Sequence, residues 1–209
     1  MAGDDPATQA FYEERWHGAY RASLDLGPSK QLRAFLDQLV PGATILELGT
    51  GGGRDGKAIA DAGYRVDITD GCAAMAEETA KRIGHPVRVL RFRDLNAEQL
   101  YDGIWAQACL LHVERAALPE MIGRVYRALK PGGVFFASYK AGEAEGRDRW
   151  GRLFNYPDPD WLHAAYFEAV DWASFDLGTA PGHGYNGEQI DWHSVTVVKG
   201  KGHDDSRHS

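Results

Sequence analysis

Short apolar, partly β-branched runs recur along the chain at residues 43–48, 64–69, 87–92, 104–111 and 134–139. Between them, residues 55–62, 73–83 and 115–129 place apolar side chains at helical spacing, and the last of these stops at Lys130-Pro131-Gly132-Gly133. Upstream, Leu32, Phe35, Leu36, Leu39 and Val40 follow Ser29 at helical spacing and end at Pro41-Gly42. The aromatic-rich stretch 11–20 predicts a helix or an ordered arm. Strand and helix in alternation imply parallel strands joined by right-handed crossovers, hence an α/β sheet with helices on both faces. The pattern changes after residue 158. A short helix over 158–166 precedes strands at 167–175 and 190–199, joined by a loop containing Gly178, Pro181, Gly182, Gly184 and Gly187. A hairpin closing a seven-stranded, mostly parallel sheet with its last strand antiparallel accounts for that change. Residues 1–200 read as a single domain with an N-terminal helical segment at 5–40, and 201–209 as a disordered tail.

The 209 residues, 44% hydrophobic and 25% charged, suit one domain that folds without disulfide or structural metal. A surplus of 30 acidic over 23 basic side chains, net charge −7, repels phosphate polymers and anionic lipid, so neither nucleic acid nor membrane is an expected partner. Cys72 and Cys109 have neither disulfide-framework nor zinc-site spacing, and no metal is expected. With no apolar stretch near the roughly 18 residues of a membrane span and two acids in the first five positions, the expectation is a cytoplasmic protein, monomer or homodimer.

The strongest chemical signal is ILELGTGGGRD at 45–55, where a strand run gives way to a helix. Glycines at such a turn permit positive φ and a close main-chain approach to a ligand, and the new helix offers free N–H groups. A dinucleotide fingerprint counted from Gly49 fails at its sixth place, where Arg54 stands instead of Gly or Ala, which weakens a nicotinamide-dependent oxidoreductase reading. What is present is Glu47-x-Gly49-x-Gly51-x-Gly53. This pattern resembles the first motif of class I S-adenosylmethionine-dependent methyltransferases. The likeness extends over much of 43–140. It is nearest to small bacterial methyltransferases of the tellurite-resistance type, through Arg54-Asp55 after the glycines and Asp102-Gly103 before the fourth strand.

The resemblance implies a Rossmann-like methyltransferase fold and a methyl donor, S-adenosylmethionine, leaving as S-adenosylhomocysteine. It assigns the donor to Glu47, Gly49, Thr50, Gly51, Gly53, Arg54 and Asp55 in the first turn. Asp70, 21 residues after Gly49, would hold the ribose diol, with Gly71 and Met75 beside it; Asp67 is the rival acid. Asp94 would meet the adenine amino group, flanked by Arg93 and Leu95, and Ala106 and Cys109 would close the site. Methyl transfer needs an aligned nucleophile in a dry pocket and a base only if that nucleophile carries a proton. His112 is the candidate base, with packing beside the ligand as the alternative. Trp16, Tyr20, His112, Tyr139, Phe154 and Tyr156 are the candidate acceptor-site residues for a small molecule: an oxyanion such as tellurite, a thiol, or a metabolite hydroxyl or amine. Tyr12 and Trp150 join the aromatics that could form a lid, and Arg147, Arg149 and Arg152 are candidates for an anionic acceptor. The alternative from another class is a non-catalytic module that binds an adenosyl ligand.

Overall fold

A computed structural model of the chain describes residues 5–24, 27–184 and 187–201, with the side chains of 16–24 outside the description. The order is α1 (Pro6–Leu24, kinked at Arg15), α2 (Lys30–Leu36), β1 (Thr44–Glu47), α3 (Arg54–Asp61), β2 (Arg65–Asp70), α4 (Ala73–Ile83), β3 (Val87–Val89) and β4 (Tyr101–Ala106). There follow α5 (Leu118–Ala128), β5 (Leu129–Lys140), β6 (Gly146–Arg147), β7 (Leu153–Phe154), α6 (Pro159–Ala169), β8 (Trp172–His183) and β9 (Gln189–Lys199). Seven strands form one sheet in the order β3-β2-β1-β4-β5-β9-β8. Only β9 runs against its neighbours. Strands β6 and β7 make a separate small ribbon.

Alternation along the central strands sends successive side chains to opposite faces. Ile45, Trp105, Val134 and Phe136 pack with Leu32 and Phe35 of α2 and Ile59 of α3. Their neighbours Leu46, Ile104 and Phe135 pack with Met121, Ile122 and Val125 of α5 and Leu162 and Tyr166 of α6. Burial on both faces explains why these strands read as continuous apolar runs. Trp105 is fully buried and stacked 4.1 Å from Phe136. Two positions from it, Gly103 admits α2: a Cβ there would lie 2.8 Å from both Phe35 Cζ and Leu39 Cδ1.

Several boundaries differ from those the pattern predicts. The fourth strand, expected over 104–111, is Tyr101–Ala106, and 107–112 form a turn ending in a 3-10 helix at Leu110–His112. Ala108 takes a positive φ of 53°, which ends the strand, while Leu110 and Leu111 stay apolar because they enter the core. The helix expected from 115 starts at Leu118 after a 3-10 turn, and α6 runs to Ala169, through the start of the strand expected at 167–175. The segment with Gly178, Pro181 and Gly182, expected as loop, is strand: β8 pairs residue for residue with β9 from Ser174↔Val198 to His183↔Gln189. Helix α2 ends at Leu36, leaving Val40 69% exposed. The expected tail lies, apart from Lys201, outside the described residues.

Helix α1 crosses the carboxyl ends of the strands and is tied down at its start. Asp5 caps it by accepting from the Thr8 N–H and hydroxyl, each at 2.8 Å. Its carboxylate also takes a two-pronged pair from Arg147 of β6, at 2.7 and 2.9 Å. The Thr8 hydroxyl in turn accepts from the Leu153 N–H of β7 at 2.8 Å. The Arg147 guanidinium holds the Asp5 carboxyl down at about 2.

Two outcomes follow. Gly103→Ala overpacks α2 against β4 and should cost about 1–3 kcal/mol, read as a lower midpoint in urea unfolding with an unchanged slope. Because the folded Asp5 is held below its unfolded value near 4, its contribution is complete above that value and disappears as pH falls through about 2. Hydrogen-exchange protection factors in the first turns of α1, measured against the intrinsic rate at each pH, should therefore be high at pH 5–7 and fall between pH 4 and 2. Arg147→Ala should show the low protection already at pH 6.

Candidate active site

The carboxyl ends of β1, β2 and β4 and the overlying α1 enclose a cavity of about 580 Å³, within the range usual for small-molecule sites. Its floor is the turn after β1. Gly49 has φ 66°, and a Cβ on it would lie 2.6 Å from Cys109 Cβ, so only glycine lets the turn close on the β4 side. The turn is held by the Thr50 N–H to Thr69 O, the Gly51 N–H to Asp70 Oδ2, both 2.9 Å, and the Thr79 hydroxyl to Gly51 O at 2.6 Å. Gly53 belongs to packing: its place is closed off by Thr79 and Ile83 of α4, and it does not line the cavity.

Three acids surround this turn. Asp70, 8% exposed, accepts from the Gly51 and Cys72 N–H groups, and burial raises its pKa. Asp55 accepts from Arg54, from the Ser29 N–H and from Trp105 Nε1 at 3.1 Å, so it joins α2, α3 and β4. Glu47 is buried beneath the turn where Gly56, having no side chain, leaves room for its carboxyl. Burial, reinforced by Asp55 and Asp70, pushes Glu47 up to about 8. Its Oε2, together with Thr50 Oγ1 and Gln107 Oε1, is buried without a hydrogen-bond partner, and all three residues line the cavity. Orphaned polar atoms around a glycine turn fit a ligand with several donors and acceptors, as the amino-acid end of S-adenosylmethionine has.

The other end of the cavity is built by α1 and the turn after β4. Tyr12 and His112 both line it, with Tyr12 Oη 3.0 Å from His112 Nε2. His112 Nδ1 lies 2.6 Å from Leu153 O, an acceptor only, so Nδ1 carries the proton and Nε2 accepts from the Tyr12 hydroxyl. Arg152 Nη1 donates to the same hydroxyl at 3.2 Å and is itself paired with Asp148. Burial, with Arg152 and Lys140 nearby, lowers His112 to about 4.

Of the residues singled out from sequence, Glu47, Gly49, Thr50, Gly51, Arg54, Asp55, Asp70, Gly71, Met75, Cys109 and His112 line the cavity. Arg93 and Asp94 are exposed and Leu95 is buried outside it; at this edge Arg91 and Phe92 face the cavity instead. Ala106 is buried in the core. Tyr139 is also core, its hydroxyl 3.0 Å from that of Tyr166. Phe154 and Tyr156 stack at 5.3 Å, with Phe154 4.6 Å from the His112 ring on the side away from the lining. The side chains of Trp16 and Tyr20 lie outside the described residues. Arg147 and Arg152 are committed to Asp5 and Asp148, and Arg149 lies over the Trp150 ring. Sequence reading missed Gln107, Ser138 and the β8–β9 residues Ala180 to His183, Trp192 and Ser194, which close the far wall. No motif marks these, since they meet the glycine turn only through the fold. Among the described residues no three His, Cys, Asp or Glu side chains converge as metal ligands, and no helix is long and apolar enough to cross a membrane.

Residues 45–133 match the methyltransferase domain family. No curated protein sequence matches the chain. Among solved structures, 1,6-didemethyltoxoflavin-N1-methyltransferase of Burkholderia thailandensis, with 1,6-didemethyltoxoflavin and S-adenosylhomocysteine bound, is similar at a TM-score of 0.74 and 19% identity, over 96% of this chain and 94% of that one. The N-methyltransferase NodS of Bradyrhizobium japonicum WM9, in complex with S-adenosylhomocysteine, is similar at 0.67 and 16% identity, over 93% and 99%. The [4+2]-cyclase SpnF is similar at 0.67 and 15%, over 96% and 99%. At these identities the likeness establishes the fold. The chain thus has the fold of these S-adenosylhomocysteine-bound methyltransferases, a seven-stranded sheet with one antiparallel strand, and residues 45–133 within it match the methyltransferase domain family.

Proposed function

We propose that the protein methylates a hydroxyl, amine or thiol of a small molecule, and that Tyr12 and His112 take up the proton this nucleophile loses. The observation that carries the reading is a single cavity with the glycine turn and Asp70 at one end and the Tyr12–His112 pair at the other. S-adenosylmethionine, when bound, supplies an electrophilic methyl group on a sulfonium. Glu47, Thr50, Gln107 and the turn backbone would hold its amino-acid end, Asp70 its ribose, and Phe92 and Arg91 the edge of its adenine. Solved structures of this fold with S-adenosylhomocysteine bound support a donor of this kind.

The hydrogen-bond directions favour one route for the proton. Tyr12 Oη spends its proton on His112 Nε2 and accepts one bond from Arg152, leaving a second lone pair for an acceptor N–H, O–H or S–H. When the acceptor gains the methyl group and the donor leaves as S-adenosylhomocysteine, the acceptor's proton would pass to Oη and the Tyr12 proton to Nε2, with Leu153 O steadying the imidazolium through Nδ1–H. Arg152 is a positioning residue here, fixed by Asp148 and enclosed by the Phe11, Trp150 and Phe154 rings.

The likeness of Arg54-Asp55 and Asp102-Gly103 to tellurite-resistance-type enzymes would favour a soft oxyanion. Against it, Arg54 is paired with Asp55, and Asp102 is occupied by Lys130 and the Thr44 N–H below the sheet. A proton-bearing acceptor uses the Tyr12–His112 pair, which an oxyanion leaves idle. Two buried, free cysteines fit the reducing cytoplasm as its location.

Incubation with methyl-labelled S-adenosylmethionine and a small-molecule extract should yield a labelled product that keeps the label on O, N or S; donor binding with no labelled product would sink the reading in favour of a binding module or another chemistry on this fold, as the cyclase illustrates. Asp70→Ala should weaken donor binding in calorimetry by about 1.5–3 kcal/mol while the thermal midpoint holds. His112→Ala should lower kcat by about 10²-fold with donor affinity unchanged. Because the base works as neutral imidazole and its pKa is lowered to about 4, kcat should be flat above pH 6 and fall as pH drops through about 4, an acid limb that His112→Ala abolishes.

A further inference from the structure

From the far wall of the cavity we infer that the β8–β9 ribbon is the acceptor-selecting surface, and that it selects an uncharged, flat aromatic or heteroaromatic ring which Trp192 covers. The inference rests on the methyl-transfer reading above and names the substrate class for it.

The ribbon outruns the rest of the sheet. Strand β5 makes its last pair at Lys140↔Trp192, whereas β8 and β9 continue together to His183↔Gln189. Ser138, Trp192 and Ser194 share one face by register, with Ala180 opposite Trp192 and Gly178 opposite Ser194. That face looks into the cavity through Ser138, Trp192, Ser194, Ala180 and Gly182. Among the described residues Trp192 is the one large ring on it, and a Cβ at Gly182 would stand 2.6 Å from its Cδ1 and 3.1 Å from its Nε1. Glycine at 182 therefore sets the ring's tilt and leaves its face toward the cavity. Pro181, beside it on the sheet edge, has no N–H to offer another strand.

The ribbon is clamped on that same face, where Lys140 stands opposite Trp192. Lys140, buried at the end of β5, donates to Glu188 Oε1 at 2.8 Å and sits 4.6 Å from the centre of the Phe154 ring. Gly184 N–H donates to Glu188 O at 2.8 Å, so the clamp reaches the last turn of the ribbon.

Charge supplies the second half of the inference. At this end of the cavity Asp5 is paired with Arg147, Arg152 with Asp148, and Lys140 with Glu188. Each of these charges already has its counter-ion, and an ionic acceptor would have to break one of these pairs. What the ribbon and β5 turn inward is an aromatic ring and the hydroxyls of Ser138 and Ser194. A flat, neutral ring matches an indole, and its edge N–H or O–H matches those hydroxyls and that of Tyr12.

The test uses the protein saturated with S-adenosylhomocysteine, titrated by calorimetry with 8-hydroxyquinoline, lumazine and 7-hydroxyindole, with the neutral saturated and acyclic compounds decahydronaphthalen-1-ol and diethylene glycol, and with tellurite. At least one flat compound should bind ten-fold or more tightly than the saturated compounds and tellurite. Trp192→Ala should reduce that binding at least ten-fold, and Gly182→Val should reduce it by a similar factor, while both variants bind S-adenosylhomocysteine like wild type. Lys140→Met, which releases the clamp, should lower acceptor affinity without moving donor affinity. No preference for flat compounds, or a preference that survives Trp192→Ala, overturns this inference. Loss of S-adenosylhomocysteine binding in the unmodified protein would instead overturn the methyl-transfer reading, so the two failures are distinguishable.

Discussion

Three carboxyl groups, Glu47, Asp55 and Asp70, are buried around one six-residue turn, and the way each is satisfied shapes everything near it. Burying like charges together is costly unless each finds donors or gives up its charge. Asp70 finds main-chain N–H groups in the turn and at the start of α4. Asp55 finds Arg54, Trp105 and the residue leading into α2. Glu47, nearest the bottom and with one oxygen unpartnered, is shifted up to about 8, which leaves it largely protonated at neutral pH. The turn thus stays open and rigid with its remaining polar atoms pointing at the cavity, and the adjacent elements are locked by the same bonds that relieve the acids.

This arrangement separates two kinds of residue that share one motif. Gly49 is needed for the shape of the turn itself, whereas Gly53 and Gly56 make room, for α4 and for the Glu47 carboxyl respectively. Arg54-Asp55 and Asp102-Gly103, the pairs that suggested a particular acceptor chemistry, do structural work. Asp55 ties helices to the sheet, Asp102 holds Lys130 and the start of β1, and Gly103 lets α2 descend onto β4. A short motif can be diagnostic of a fold and still say little about the substrate, because its residues are spent on building the site's frame.

The Tyr12–His112 end of the cavity follows a different logic. It is assembled from α1, the turn after β4, the β6–β7 ribbon and the β8–β9 hairpin, parts far apart in the chain. Asp5 and Arg147 are separated by 142 positions and Tyr12 and His112 by 100. Its polar groups are arranged in chains, Asp148 to Arg152 to Tyr12 to His112 to Leu153, in which each member fixes the orientation of the next. Such a chain specifies where one proton sits, which is what the base role proposed for His112 requires.

Local pattern alone determined the α/β class, the seven strands of the main sheet, the antiparallel last strand, the glycine turn and the placement of Asp70 at the end of β2. Those features rest on periodicity and on glycine's tolerance of positive φ, which are properties of neighbouring residues. The tertiary structure alone decided that β4 ends at Ala106, that 178–183 is strand, and that Arg91 and Phe92, not Arg93 and Asp94, face the cavity. It also decided that Tyr139 and Ala106 belong to the core, and that Tyr12 is hydrogen-bonded to His112. An apolar run has the same composition whether it pairs as a strand or turns into the core, and a tyrosine's partner a hundred positions away leaves no trace in its neighbours. Both are set by packing between distant segments, which becomes visible only when the chain is folded.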